Sequence, residues 1–516
     1  MFSSSLKITD TNDFIAPSLE CVVVDNKPVL METDGVGEVK IQRPRGGVGP
    51  MSVASTTGPD SAVKISLHDC LACSGCVTSA ETVLLEQQSI EQFQQMLKDP
   101  VKQVVVTISN QSLASLACKV GVDPGVVAGR LAKSLKAGGA RAVFDISVAS
   151  KIALVENVAE FQRRVGCVPA SGGFADGCSN GSSDGTRMLP MLTSSCPGWV
   201  LYVEKTHPHL IPYVSRVKSP QAIMGTLIKQ FWCATEEVRL TADAIFHVAV
   251  MPCYDKKLEA VRAELMVGSV PETDCVLTTG ELETWLEKYG SGWQLNHLHH
   301  HEDWCGDLDT LFLGTGDMEP DDSSPRTAIG DADAVESGGY MNALYRTIRG
   351  QDEERAMPPD ADVPMRSGRN ADVRECDLQL RNGRTLHFAI LNGFRNIQAL
   401  VRKMKLNKCT YDYVEVMACP SGCVNGAGQL PLKVGQTEQG PVRPPTQAER
   451  DEALDAVRNA MHSRVRASAN DAHVNAQCAA IYRNWVGPGG ADRSVFSTSL
   501  RSTESTTKQS MLTANW

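Results

Sequence analysis

The chain has 516 residues, 42% hydrophobic and 21% charged, with a formal net charge of −10. That length holds two or three structural units with ample core, and the composition is that of an ordinary water-soluble globular protein. The acidic balance argues against a basic nucleic-acid or membrane surface, and no apolar run approaches the ~20 residues that span a bilayer.

In chain order, residues 1–100 read as a first unit. The opening MFSSSLKITDTNDF has neither the apolar stretch nor the cleavage site of a secretory leader, so a cytoplasmic or nuclear location is expected. Seventeen cysteines in a reducing compartment read as metal ligands where they cluster at short fixed spacings. A Gly-rich connector leads to Cys70-Leu-Ala-Cys73-Ser-Gly-Cys76, the front part of a bacterial ferredoxin run. The fourth ligand must come from elsewhere. Cys21, the only upstream cysteine, is the candidate, and His68 is the second choice because imidazole can replace thiolate at iron. Three cysteines within seven residues favour iron over structural zinc, whose sites pair two C-x2-C units.

ETVLLEQQSIEQFQQMLKD has helical spacing. From about 101 to 435 strand and helix patterns alternate, which predicts an α/β domain. KQVVVTIS, RAVFDISVA, FHVAVMP, DCVLTT, LHFAILNG and YDYVEVMAC read as buried strands, and PGVVAGRLAKSLKAG and PQAIMGTLIKQFWCA as helices. Residues 169–186, 306–333 and 350–374 read as mobile surface loops. Residues 436–492 form a helical C-terminal segment, and 493–516 a disordered tail ending in Trp516.

Within the α/β domain, Cys196 (TSSCPGW), Cys253 (MPCYDKK), and Cys419 with Cys423 (ACPSGCVNGAGQ) occupy short turns. A thiolate at the carboxyl end of a strand points into the crevice where open α/β sheets bind ligands. Converging, these turns would make the ligand set of a [4Fe–4S] cluster or of structural zinc. The isolated cysteines read as small hydrophobes. The tract from His297 to His301, near Cys305, lacks a second spaced pair of ligands and reads as a solvated loop. Trp199 is placed to pack over the Cys196 turn.

TSSCPGW, MPCYDKKLEA, DCVLTTGE, ESGGY and EVMACPSGCVNGAGQ, in that order, resemble the iron-only hydrogenase domain. With SLHDCLACSGCVTSAETVL and Cys21 included, the chain is similar to the cytosolic iron-only hydrogenase-like, or nuclear prelamin A recognition factor-like, family over roughly residues 5–485. The resemblance implies a two-lobed fold with an N-terminal ferredoxin-like segment and two [4Fe–4S] clusters. Cys21, Cys70, Cys73 and Cys76 match one ligand set; Cys196, Cys253, Cys419 and Cys423 match the other. It also implies a role in cytosolic iron–sulfur protein assembly, between early scaffold P-loop NTPases and a late targeting complex. The β-propeller subunit of that complex would read Trp516, although Asn515 stands where relatives carry an acidic residue. Where hydrogenases carry a proton-relaying cysteine this chain has Ser195, whose hydroxyl is not acidic near neutral pH, so no hydrogen turnover is expected. Lys256 matches a lysine that contacts the two-iron unit, and reads here as a cation offsetting cluster charge. The rival readings are a hydrogenase-type redox enzyme and a zinc-binding nuclear interaction protein.

Overall fold

The computed structural model describes residues 85–165, 189–235, 237–290, 308, 309, 311, 338–353, 363–430, 446–469, 472–483 and 493–501. Cys21, Cys70, Cys73, Cys76, the His297–His301 tract and Trp516 lie outside the described residues.

The chain runs from α1 (Ile90–Met96) through β1 (Gln103–Ile108), α2 (Asn110–Val120), α3 (Pro124–Ala137), β2 (Ala142–Asp145) and α4 (Ser147–Val165). Next come β3 (Met191–Thr193), α5 (Pro197–Thr206), α6 (Pro220–Thr226), β4 (Ile245–Met251) and α7 (Asp255–Ala260). A hairpin of β5 (Met266–Val267) and β6 (Val270–Pro271) precedes β7 (Cys275–Thr278) and α8 (Thr279–Tyr289). The last stretch holds α9 (Tyr340–Asp352), β8 (Arg366–Ser367), β9 (Val373–Gln379), β10 (Thr385–Asn392), α10 (Phe394–Lys405) and β11 (Tyr413–Met417). Two helices close it, α11 (Gln447–Ala469) and α12 (Ala472–Ile481).

Two sheets organise these elements. The first has the order β2-β1-β4-β7, all parallel. The second has the order β3-β11-β10-β9-β8, with β3, β11 and β10 parallel and the outer strands antiparallel. The α/β, two-lobed architecture expected from the sequence is therefore present, and each of the six predicted strands forms. Helices cover the parallel strands, which is why their sequences are mostly apolar on both faces rather than alternating. In β4 all seven residues are buried, His247 included. Its ring pairs with Thr107 Oγ1 at 3.0 Å and with the Glu272 carbonyl at 2.9 Å. Burial lowers its pKa to about 3, so it is a neutral core histidine.

Local chemistry sets the helix starts. Asp123 caps α3 by accepting from the Gly125 amide, with Pro124 at the first helical position. Thr278 and Glu281 form a reciprocal capping box at α8.

Four expectations need correction. PQAIMGTLIKQFWCA is α6 followed by a π-turn over Leu227–Phe231 and a 3₁₀ turn, and the π-turn carries Lys229 to a buried ion pair with Asp274 at 2.5 Å. The 350–374 stretch ends in β8 and the first residues of β9 instead of remaining loop. In the 306–333 segment, Asp309 accepts from the Val143 amide at 2.7 Å and Leu311 is buried. Finally, residues 493–501 are docked. Phe496 is fully buried, its carbonyl accepts from the Lys218 amide at 2.8 Å, and the Arg501 amide donates to Glu204. Among the described residues no helix is long and apolar enough to cross a membrane.

Candidate metal centre

Three parallel strands deliver the four cysteines. β3 ends at Thr193 and is followed by Ser194, Ser195 and Cys196, which stands at the N-terminus of α5 with Pro197 at the first helical position. β4 runs into Pro252 and Cys253 just before α7. β11 runs into Ala418 and Cys419, and Cys423 opens a 3₁₀ turn. Two of these strands belong to the second sheet and one to the first, so the cysteines meet between the lobes at the carboxyl ends of the strands. The strand feeding Cys196 is only three residues long. Its pattern, MLT, is too short to read as a strand, and it forms because it pairs with β11.

Backbone contacts hold the turns together. Ser194 Oγ donates to the Val416 carbonyl at 2.5 Å and accepts from the Cys196 amide at 3.0 Å. Ser421 and Gly422 take positive φ (60° and 77°), which lets the chain reverse between Cys419 and Cys423. The Gly428 amide donates to the Pro252 carbonyl at 2.9 Å, joining the Cys423 loop to the Cys253 turn. Trp199 is fully buried in the same apolar cluster as Cys196, Ala418 and Cys423. Its indole N–H, enclosed there, has no hydrogen-bond partner.

The four thiols act on one another electrostatically. Burial, then Asp255, then Cys419, Cys196 and Cys423 push the Cys253 thiol well above its usual value. Burial, then Cys196 and Cys423, do the same to Cys419, and burial with Asp255 raises Cys196. Burial and mutual proximity keep these thiols protonated, and a metal centre bound there would have to displace their protons. The donor set and the enclosed indole N–H fit an iron–sulfur group. Among the described residues no three His, Cys, Asp or Glu side chains stand close enough to hold a single ion.

Beside Cys423 lies a cavity of about 60 Å³ whose wall includes Ser195, Gln221, Lys256 and Tyr340. Lys256 is turned to Glu259, with Nζ 2.8 Å from Oε2, and to Ser219 Oγ at 3.1 Å. Tyr340, which the sequence reading did not single out, is buried and hydrogen-bonds to Ser195. Burial pushes its phenol upward and keeps it protonated. Its only sequence signal was ESGGY, where Gly339 at φ 67° starts α9. Asp255 was also missed. It lies at the Gly198 backbone, where a Cβ would come within 2.5 Å of its Oδ2.

The description "Iron only hydrogenase large subunit, C-terminal domain" matches residues 102–427. "Cytosolic iron-sulfur assembly component 3" of Bos taurus is 40% identical over 442 residues, covering 83% of this chain and 84% of that protein. "Protein NAR1" of Arabidopsis thaliana is 38% identical over 463 residues, covering 85% and 86%. Among solved structures, a [FeFe]-hydrogenase HydA(deltaEFG) aligns with a TM-score of 0.59 at 24% identity, over 80% of this chain and 98% of that one. The last comparison shows the shared fold.

Proposed function

Given that the chain belongs to the iron-only hydrogenase C-terminal domain family, we propose that it is a non-catalytic iron–sulfur protein of cytosolic iron–sulfur protein assembly. The names of its relatives support that role and a cytoplasmic location. The observation that carries the reading is the convergence of Cys196, Cys253, Cys419 and Cys423 from two sheets onto one enclosed site. These would hold a [4Fe–4S] cluster, and Cys21, Cys70, Cys73 and Cys76 a second. When bound, such a group supplies one-electron chemistry and rigid cross-linking of its ligand segments. The chain's own residues keep water out (Trp199), hold the ligand turns in register (Ser194, Gly428) and occupy the flank with neutral hydroxyls (Ser195, Tyr340).

The non-catalytic reading rests on that flank. A relay at Ser195 would need a group that ionises near neutral pH, and a serine paired with a high-pKa tyrosine supplies none. Lys256, committed to Glu259, serves as local positive charge.

The centres are tested by replacing Cys73 or Cys419 with Ala and counting iron and sulfide anaerobically. Each variant should keep about half the iron of the parent; loss of all iron from both would reject two separate sites. The same samples should evolve no hydrogen with a strong reductant, and measurable turnover would restore the hydrogenase reading. For partners, the chain would bridge early scaffold P-loop NTPases and a targeting complex whose β-propeller subunit takes Trp516. Deleting Trp516 should weaken capture of that subunit while iron content stays constant, and unchanged capture would remove the tail from the account.

A further inference from the structure

Helix α10 packs on the second sheet through Ile397, Leu400 and Val401 and turns its other face to solvent. That outer face and the turn after it carry Arg395, Arg402, Lys403, Lys405 and Lys408, all exposed, and the stretch 394–408 contains no Asp or Glu. Among the described residues no carboxylate pairs with any of the five, and Lys403 lies over the Tyr411 ring at 5.2 Å. Elsewhere on the same lobe surface cations are matched: Arg349 with Glu353, Arg366 with Asp377 and Arg384 with Asp412.

Helix stability does not account for the arrangement. Cations in the last turn of α10 complement the helix dipole, but Arg395 stands in the first turn, where a cation is unfavourable, and Arg402 and Lys405 are like charges one turn apart. The positive field reaches the neighbouring element: burial, then Lys405 and His209, lower the His207 ring to about 4. Leu406, 57% exposed, sits among these charges as an apolar foothold.

We propose that the outer face of α10 docks a short acidic segment of a partner protein, whose carboxylates meet the five cations while an apolar side chain rests on Leu406. The span from Arg395 to Lys408 is about 20 Å at the helical rise, room for about six residues of extended chain. The rest of a chain whose net charge is −10 selects against larger polyanions, because an RNA backbone or an anionic bilayer would extend past the patch into repulsion. The face is separate from the four cysteines and does not depend on the group they hold.

The test is fluorescence anisotropy of the full chain, purified anaerobically, with a fluorescein-labelled peptide of about ten residues, all Glu and Asp apart from one central Leu. The comparison probes are the same peptide with Gln and Asn for its acids, a labelled single-stranded RNA of equal length, and phosphatidylserine vesicles. The acidic peptide should bind saturably, at least about tenfold tighter than its amide version, and more weakly as salt rises. Arg402→Glu combined with Lys405→Glu should weaken it at least about tenfold. Lys98→Glu combined with Lys288→Glu, the same charge change at exposed positions on the other lobe, should bind as the parent does. Arg395→Gln removes a cation that the helix start disfavours, so its fold is secure, and it should weaken binding about threefold. The proposal is overturned if the acidic peptide does not bind saturably, if both double variants lose binding equally, or if Arg395→Gln binds as the parent does. Tighter binding of the RNA or the vesicles than of the peptide would overturn it as well.

Discussion

Gly426 is the position at which the geometry of the cysteine loop can be tested most sharply. Its backbone (φ −64°, ψ 144°) is one that alanine adopts freely, so a substitution acts through contact alone. A Cβ there would stand 2.4 Å from the Pro252 carbonyl oxygen and 3.0 Å from its carbon, against an ordinary contact of 3.4 Å or more. Those atoms are backbone of the Cys253 turn and cannot rotate aside. Relief requires the two ligand segments to part by about 1 Å, which also strains the hydrogen bond from Gly428 to the same carbonyl. Overpacking of this kind costs about 1–3 kcal/mol and a weakened hydrogen bond about 1, so Gly426→Ala should lose about 2–4 kcal/mol. Gly280, in the first turn of α8, is the control. Its added Cβ meets nothing nearer than the Gly428 carbonyl at 3.8 Å, and the helix gains up to about 1 kcal/mol. Denaturant midpoints of the two anaerobic proteins should move in opposite directions, and iron should be lost from Gly426→Ala alone. A Gly426→Ala protein with the parent's midpoint and full iron would refute the claim that the loops interlock at this carbonyl.

Three further outcomes follow from buried groups. His247 is neutral in the fold, with a pKa lowered from 6.5 to about 3 by burial, while the unfolded chain takes up a proton below pH 6.5. Stability is therefore complete above that value and falls with pH through the window, by about 1.4 kcal/mol at pH 5.5. Midpoints at the two pH values measure it, and His247→Gln should flatten the dependence. Phe496→Ala should cost about 3–5 kcal/mol by cavity formation, read as a lower denaturant midpoint, and a variant that melts like the parent would undo the docked strap. Lys229→Met strands the Asp274 carboxylate and should cost about 3–5 kcal/mol, most of it recovered when Asp274→Asn is added. A double variant as unstable as the single one would contradict that.

The legible part of the fold was the part with a strong period. β4 and β11 were readable because seven and five consecutive residues are buried on both faces, and their apolar runs say so directly. β3 and β8 were not, because three- and two-residue strands are made by their partners and leave no local pattern. The strap over 493–501 was misread for a related reason. One phenylalanine among serines and threonines resembles a disordered tail until its pocket is known. At the candidate metal centre the four cysteines that the fold brings together were visible from spacing and turn chemistry. Tyr340 and Asp255 were not, since their roles depend on elements that meet only after folding.

The two sheets are threaded alternately: β1 and β2 belong to one, β3 to the other, then β4 and β7 return before β8 to β11 complete the second. Neither half is a continuous stretch of polypeptide. During synthesis β3 must wait for β11, more than two hundred residues later, before it has a partner, and pairings so distant in sequence form slowly. A nascent chain thus cannot offer a finished cradle to iron until nearly all of it has left the ribosome. On the proposed reading, loading of the Cys196 site is then a late event on a completed scaffold, and a truncation before β11 would leave that site without Cys419 and Cys423.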